Sequence, residues 1–180
     1  MIGLDRQRLA RRAPALFLAA SAALLLTAYL FQHVGGLEPC PLCVAQRYPH
    51  FVVLGLALAA LGLGGWRSWL PAAFLAAIAL AYLVGAGYAA FHVGVELGHF
   101  QSSCAGHGAA GSIEELRERI LNAPRVLCND VQWTFIGLSM AAWNGIVSVA
   151  LALAAGYGAL ATALDLRMPR ADGRARPDRA

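Results

Sequence analysis

The run SWLPAAFLAAIALAYLVGAGYAAFHVGV, Ser68 to Val95, contains no Asp, Glu, Lys or Arg. A helix rising 1.5 Å per residue needs only about 20 such residues to cross a hydrocarbon core of roughly 30 Å. Three more uncharged runs flank it: Ala13 to Gln32, Tyr48 to Trp66, and Val131 to Leu164. Four spans are available. Apolar residues make up 59% of the 180 and charged residues 13%, too little polar surface to enclose four buried helices in a soluble globule.

The spans are expected at about Pro14–Phe31, Pro49–Leu63, Pro71–Phe91 and Ala142–Leu164. Residues 1–12 read as a short basic lead-in on the lipid surface, with Pro14 starting the first helix. A cleaved secretory signal is the rival for the first run. Its apolar core is longer than a signal core of roughly 7 to 15 residues, and Ala28-Tyr29-Leu30-Phe31 offers no small-x-small cleavage site. It reads as a retained span. Gly35-Gly36 breaks it, and Trp66 and Trp69 bracket Arg67 as interface anchors. In the third span Ala77, Ala81, Gly85 and Ala89 recur every four positions, a stripe that lets another helix approach closely.

All 14 basic residues are arginine. Arg6, Arg8, Arg11, Arg12, Arg67, Arg167, Arg170, Arg174, Arg176 and Arg179 fall on one side of the four spans, and Arg47, Arg117, Arg119 and Arg125 on the other. The arginine-rich side, with both termini, is expected to be cytoplasmic. The net charge of +4 then reflects topology and contact with the lipid bilayer, not nucleic-acid binding.

The chain is thus expected to be one all-α membrane domain, a four-transmembrane-helix bundle over residues 1–164. Outer loops run at about 32–47 and 96–141, and 165–180 read as a disordered cytoplasmic tail. In the second loop Ser112 and Glu115 have capping-box spacing, and Ile113, Leu116, Ile120 and Leu121 mark one face of a short amphipathic helix.

All four cysteines, Cys40, Cys43, Cys104 and Cys128, lie in these two outer loops, as suits a compartment where disulfides persist. Cys40 and Cys43 are spaced to close a small disulfide. Arg47, four residues beyond Cys43, shares its face if the chain turns helical, where a cation would stabilise a thiolate. His33, Glu38, Arg47, His50, His92 and Glu96 gather at the same outer boundary, and His92 and Glu96 share a face if the third helix persists that far. The spans lack Asp, Glu, Lys and Arg, which argues against an ion pump.

A lone C-x-x-C is weak evidence. Val44 in place of histidine excludes covalent haem attachment. Zinc held by the four cysteines, or with His92, His99 and His107, remains open. So does a static staple at Cys104 and Cys128, although Gly106, Gly108 and Gly111 suit a segment that a partner protein can reach.

Pro39-Cys40-x-Leu42-Cys43-x-x-Gln46-Arg47-x-Pro49, the preceding Phe31-Gln32-His33-Val34, the two loop cysteines and Trp133-x-x-x-Gly137-Leu138 closely resemble the bacterial disulfide bond formation protein B family, over residues 13 to 164. The resemblance implies a four-helix inner-membrane bundle with its cysteine loops in the periplasm. It would reoxidise a periplasmic thioredoxin-fold disulfide oxidase, of the disulfide bond formation protein A type, and pass the electrons to the membrane quinone pool. Ubiquinone or menaquinone would be the cofactor, with no metal. By the same resemblance Cys40–Cys43 is the quinone-linked pair, with Cys43 against the ring, Arg47 assisting as a cation and His92 near the head group. Cys104–Cys128 is the shuttle pair, with Cys104 attacked by the partner. A related reading is a quinone-epoxide reductase of the vitamin K type.

Overall fold

The computed structural model describes residues 2–64, 66–104, 112–114, 117, 121 and 126–167, with side chains from Arg12 onward. Among these, α1 (Ile2–His33), α2 (Pro41–Ala45), α3 (Tyr48–Leu63), α4 (Leu70–Glu96) and α5 (Met140–Arg167) carry the architecture. Four segments are long and apolar enough to cross a membrane: Arg12–His33, Pro41–Leu63, Leu70–Glu96 and Met140–Arg167. The protein is an all-α four-helix membrane bundle. Leu16, Leu26, Val52, Leu58, Leu80, Leu83 and Leu153 are exposed on its outside, a lipid-facing surface in which water plays no part.

Helix boundaries follow local chemistry. Pro41, Pro49 and Pro71 occupy first-turn positions of α2, α3 and α4, where a missing N–H costs nothing. Gly36 and Gly98 turn the chain after α1 and α4 with φ of +68° and +75°. The first helix differs from expectation: it begins at Ile2 and holds Pro14 inside it, so the basic lead-in continues the helix. The third runs on to Glu96, and the fourth occupies Met140–Arg167. The amphipathic helix expected at Ser112–Leu121 and the tail beyond Arg167 lie largely outside the described residues.

The bundle packs α4 mainly on α5, with α3 against both α1 and α4. Its core holds Phe17, Val53, Ala57, Leu75, Ile78, Tyr82, Ala152 and Ala155. The small-residue stripe sets two close approaches. A Cβ on Gly85 would lie 3.3 Å from Pro49 Cβ, and one on Gly145 3.2 Å from Ala89 Cβ. These contacts bring the outer end of α4 against α2, α3 and α5.

Before α5, β1 (Thr134–Phe135) and β2 (Leu138–Ser139) form a two-residue hairpin, pairing Thr134 with Ser139 and Phe135 with Leu138. The turn residues Ile136 and Gly137 both have positive φ, 53° and 75°, the signature of the turn type that matches strand twist. Isoleucine at such a φ is strained. The hairpin presents Phe135 to Trp133 and Trp143, and Trp133 to Phe31 of α1.

Candidate active site

Cys40 precedes Pro41 and therefore adopts extended backbone, φ −70° and ψ 164°. It caps α2, its Sγ accepting the Cys43 backbone N–H at 3.1 Å. One helical turn then places Cys43 Sγ 2.8 Å from Cys40 Sγ, and both cysteines are free thiols. Either thiol can donate across that distance, so the surroundings decide. Cys40 Sγ also faces His92 Nε2 at 3.5 Å. The Cys43 thiol hydrogen bond is the main influence pulling the Cys40 thiol down to about 4; burial opposes it, and His92 and the Cys43 N–H assist it. The negative charge of the reduced pair belongs on Cys40.

His92 lies where α4 persists to Glu96. Its Nδ1 meets Gln46 Nε2 at 2.6 Å, and its Nε2 lies 3.1 Å from the Cys128 carbonyl oxygen and 3.8 Å from Glu96 Oε1. Glu96 Oε2 accepts from Ser139 Oγ at 2.6 Å, tying α4 to the hairpin.

Cys104 and Cys128, 24 positions apart, are joined in a disulfide. The Cys128 N–H donates to the Cys104 carbonyl at 2.8 Å. Cys40, Cys104, Cys128 and Val95 form one buried cluster, with Leu42, Cys43 and Val126 packed on it. Two cysteine pairs, one reduced and one oxidised, thus share a single packed site. The four-cysteine zinc alternative needs four free thiolates, and Cys104 and Cys128 are bonded to each other. Cys40 Sγ, Cys43 Sγ and a His92 nitrogen do lie within 4.8 Å of one another, a donor set that a thiophilic metal could share.

Arg47 begins α3. Its Nη1 donates to Gln32 Oε1 at 2.7 Å, and its guanidinium sits 4.7 Å above the Tyr29 ring. Those partners are on α1. Arg47 shares with Cys40, Cys43 and His92 the wall of a cavity of about 360 Å³. Leu24, Leu25, Ala28 and Phe31 of α1 line its apolar side, and Trp133, Phe135 and Trp143 another wall. One end is a slot between apolar helices and the other a cluster of sulfur, imidazole and guanidinium.

The structure therefore gathers Cys40, Cys43, Arg47 and His92 around one cavity, with the Cys104–Cys128 disulfide packed behind Cys40. It adds polar residues that the sequence reading did not single out as a site. Gln46 Oε1 accepts from Asn144 Nδ2 at 2.8 Å, Asn144 Oδ1 meets His50 Nε2 at 3.0 Å, and Gln32 holds Arg47. The signal was available: each is a hydrogen-bonding side chain in or beside an apolar span, where polar groups find partners inside the bundle.

The protein-family model described as "Disulfide bond formation protein DsbB" matches residues 10–158. A disulfide bond formation protein B of Xanthomonas campestris pv. campestris (strain 8004) is 37% identical over 154 residues, covering 78% of this chain and 84% of that protein. One from Acidovorax sp. (strain JS42) is 36% identical over 149 residues, 74% of this chain and 78% of its own length. Another, from Azoarcus sp. (strain BH72), is 33% identical over 153 residues, 80% and 87% of the two chains. The matched region takes in most of α1, both cysteine pairs and most of α5. With four spans, a loop disulfide and a free C-x-x-C pair in one cluster, the chain belongs to the DsbB family of disulfide bond formation proteins.

Proposed function

We propose that the protein is a protein-dithiol:quinone oxidoreductase of the bacterial inner membrane. It reoxidises a periplasmic thioredoxin-fold disulfide oxidase and sustains protein disulfide formation. Both termini face the cytoplasm and the cysteine loops the periplasm, as the arginine distribution favours. The observation that carries this reading is the packing of Cys40 with Cys104 and Cys128 in one buried cluster, while Cys43 and Arg47 reach the apolar cavity.

Electrons enter at the loop disulfide. A partner thiolate attacks Cys104 Sγ, the Cys104–Cys128 bond breaks, and Cys128 leaves as a thiolate. Cys104 is only 5% exposed, so the chain around it must lift for that attack. The partner's second thiol then displaces Cys104, and the partner departs oxidised. Cys128 attacks Cys40 in a Cys40–Cys43 disulfide, and Cys43 leaves; Cys104 then displaces Cys40 from Cys128. Two electrons have moved from the loop pair to the inner pair, the loop dithiol becoming a disulfide and the inner disulfide a dithiol.

The cavity fits a quinone, ubiquinone or menaquinone. Its α1 wall suits an isoprenoid chain, and Arg47 and the second Gln46 amide proton offer hydrogen-bond donors for a ring at the sulfur end, with His92 beside it. A quinone bound there supplies a two-electron acceptor. Arg47 would orient the ring against Cys43, which is less buried than Cys40. When the Cys40 thiolate and the Cys43 thiol, 2.8 Å apart, re-form their disulfide, they give up two electrons and the Cys43 proton, which a bound quinone would take up with one further proton.

The cysteines can be tested by trapping. With the Cys104–Cys128 disulfide intact, a reduced thioredoxin-fold oxidase that lacks its second active-site cysteine should accumulate a mixed disulfide with Cys104, visible on non-reducing gels, because no partner thiol remains to displace Cys104. Absence of any Cys104-linked species with a folded protein would remove Cys104 from the entry step.

A further inference from the structure

Six side chains from four spans form a continuous hydrogen-bonded chain. Tyr82 OH meets Ser21 Oγ at 2.8 Å, and Ser21 Oγ meets His50 Nδ1 at 3.4 Å. His50 Nε2 meets Asn144 Oδ1 at 3.0 Å, and Asn144 Nδ2 donates to Gln46 Oε1 at 2.8 Å. Gln46 Nε2 meets His92 Nδ1 at 2.6 Å. His50, His92 and Ser21 are buried, as is Gln46.

Such a chain can run in either direction, because each amide can turn over and each imidazole can change tautomer. Its outer end decides. His92 Nε2 faces the Cys128 carbonyl at 3.1 Å, and a carbonyl only accepts. Glu96 Oε1 and Cys40 Sγ, the other groups facing that nitrogen at 3.8 Å and 3.5 Å, favour a donor as well. Nε2 therefore carries the proton, Nδ1 accepts from the Gln46 amide, and Gln46 Oε1 accepts from Asn144. Asn144 Oδ1 then requires His50 to donate from Nε2, so His50 Nδ1 accepts from Ser21. From His50 to His92 every donor points toward the cysteines; at the inner end the Tyr82 hydroxyl faces both Ser21 Oγ at 2.8 Å and the Phe17 carbonyl oxygen at 3.4 Å.

We propose that Gln46 and Asn144 are positioning residues that hold His92 in its Nε2–H tautomer, aiming one proton at the space between Cys40 Sγ and the Cys128 carbonyl. His50 and Ser21 orient Asn144 in turn. Two carboxamides in series make this an orienting device and not a proton wire, since an amide cannot pass a proton on without changing its bonding. The consequence is that one imidazole proton addresses both cysteine pairs. Its effect on electron transfer rests on the proposed function; the tautomer itself does not.

The full-length protein, labelled with 15N in histidine rings and glutamine side chains and held in detergent micelles, tests this by NMR at pH 7. His92 is assigned by comparison with His92→Asn. The expected result is a protonated Nε2, an unprotonated Nδ1, and a scalar coupling across the hydrogen bond from Gln46 Nε2. Asn144→Asp keeps the shape but removes the donor to Gln46 Oε1. Gln46 should then turn its Nε2 toward the introduced carboxylate, and a proton should appear on His92 Nδ1. The Cys40 thiolate titration, followed by absorbance in the reduced protein, should rise by about one pH unit, a tenfold smaller thiolate-to-thiol ratio. A wild-type His92 protonated on Nδ1 overturns the proposal, with or without a folded variant. So does a folded Asn144→Asp protein with an unchanged His92 pattern. Neither readout needs quinone or a partner, so failure here is separate from failure of the relay.

Discussion

His92 Nε2 lies 3.5 Å from Cys40 Sγ, although 52 positions separate the two residues. The contact exists because α4 stays helical to Glu96 and because Gly85 and Gly145 let it pack tightly on Pro49 and against α5. Together with the Cys43 N–H, the imidazole makes Cys40 the sulfur of the inner pair best placed to hold negative charge.

A pH dependence follows. The Cys40 thiol lies near 4 in the reduced protein, mainly through the Cys43 hydrogen bond, against about 8.5 for an unfolded thiol. A depressed acid contributes stability that is present above the unfolded value and is lost as pH falls through the folded one. Thiolate absorbance in the reduced protein should therefore persist from pH 8 to about 5 and disappear near 4. Cys43→Ala removes the largest cause and should raise the midpoint. A wild-type midpoint near that of an unfolded thiol would contradict the geometry.

Arg47 should matter to the cavity far more than to the fold. Its bond to Gln32 and its seat over Tyr29 orient the guanidinium along the cavity wall. Arg47→Ala should raise the KM for quinone about tenfold or more, a loss of roughly 1.4 kcal/mol, while thermal unfolding in detergent barely shifts. Arg47→Lys should rescue only partly, because a point charge lacks the planar fork. Unchanged quinone kinetics in the alanine variant would remove Arg47 from the site.

Ser148 is buried, and its hydroxyl has no hydrogen-bond partner among the described residues. An unsatisfied buried hydroxyl costs about 1–3 kcal/mol. Ser148→Ala should accordingly leave the unfolding temperature unchanged or raise it; a clear fall would mean that the hydroxyl is bonded in the bundle.

Tyr82 is the opposite case, since its hydroxyl meets Ser21 inside the bundle at 2.8 Å. Tyr82→Phe should destabilise by about 0.6 kcal/mol, the scale of side-chain hydrogen bonds between membrane helices. Equilibrium unfolding in mixed micelles measures it, and no loss at all would place the bond outside the stabilising set.

Much of this was legible in the sequence. Uncharged runs at Ala13–Gln32, Ser68–Val95 and their companions read as spans because lipid tolerates only internally satisfied backbone. The one-in-four stripe through Gly85 and Ala89 read as a close-packing face, and both residues are buried at helix contacts. His92 and Glu96 were placed together by helical periodicity. The polar chain was not legible. The sequence places His50 at the outer boundary and Gln46 beside Arg47, but not Asn144 or Tyr82 with them, because their meeting depends on how four helices rotate about their axes. No local pattern sets that rotation. The hairpin before α5 is not legible for a related reason: Ile136 is a poor turn former, and its positive φ goes with the pairing of Thr134 with Ser139 and Phe135 with Leu138 on either side of it.

The relay as a whole is tested most directly by anaerobic quinone reduction. The purified protein would receive a reduced periplasmic thioredoxin-fold oxidase and excess ubiquinone or menaquinone, with quinol formation and partner thiols counted together. One quinol formed for every two partner thiols lost, through many turnovers, is the expected result. No turnover with either quinone, in a folded protein whose cysteines stay unchanged, would contradict it and reduce the disulfides to structural staples.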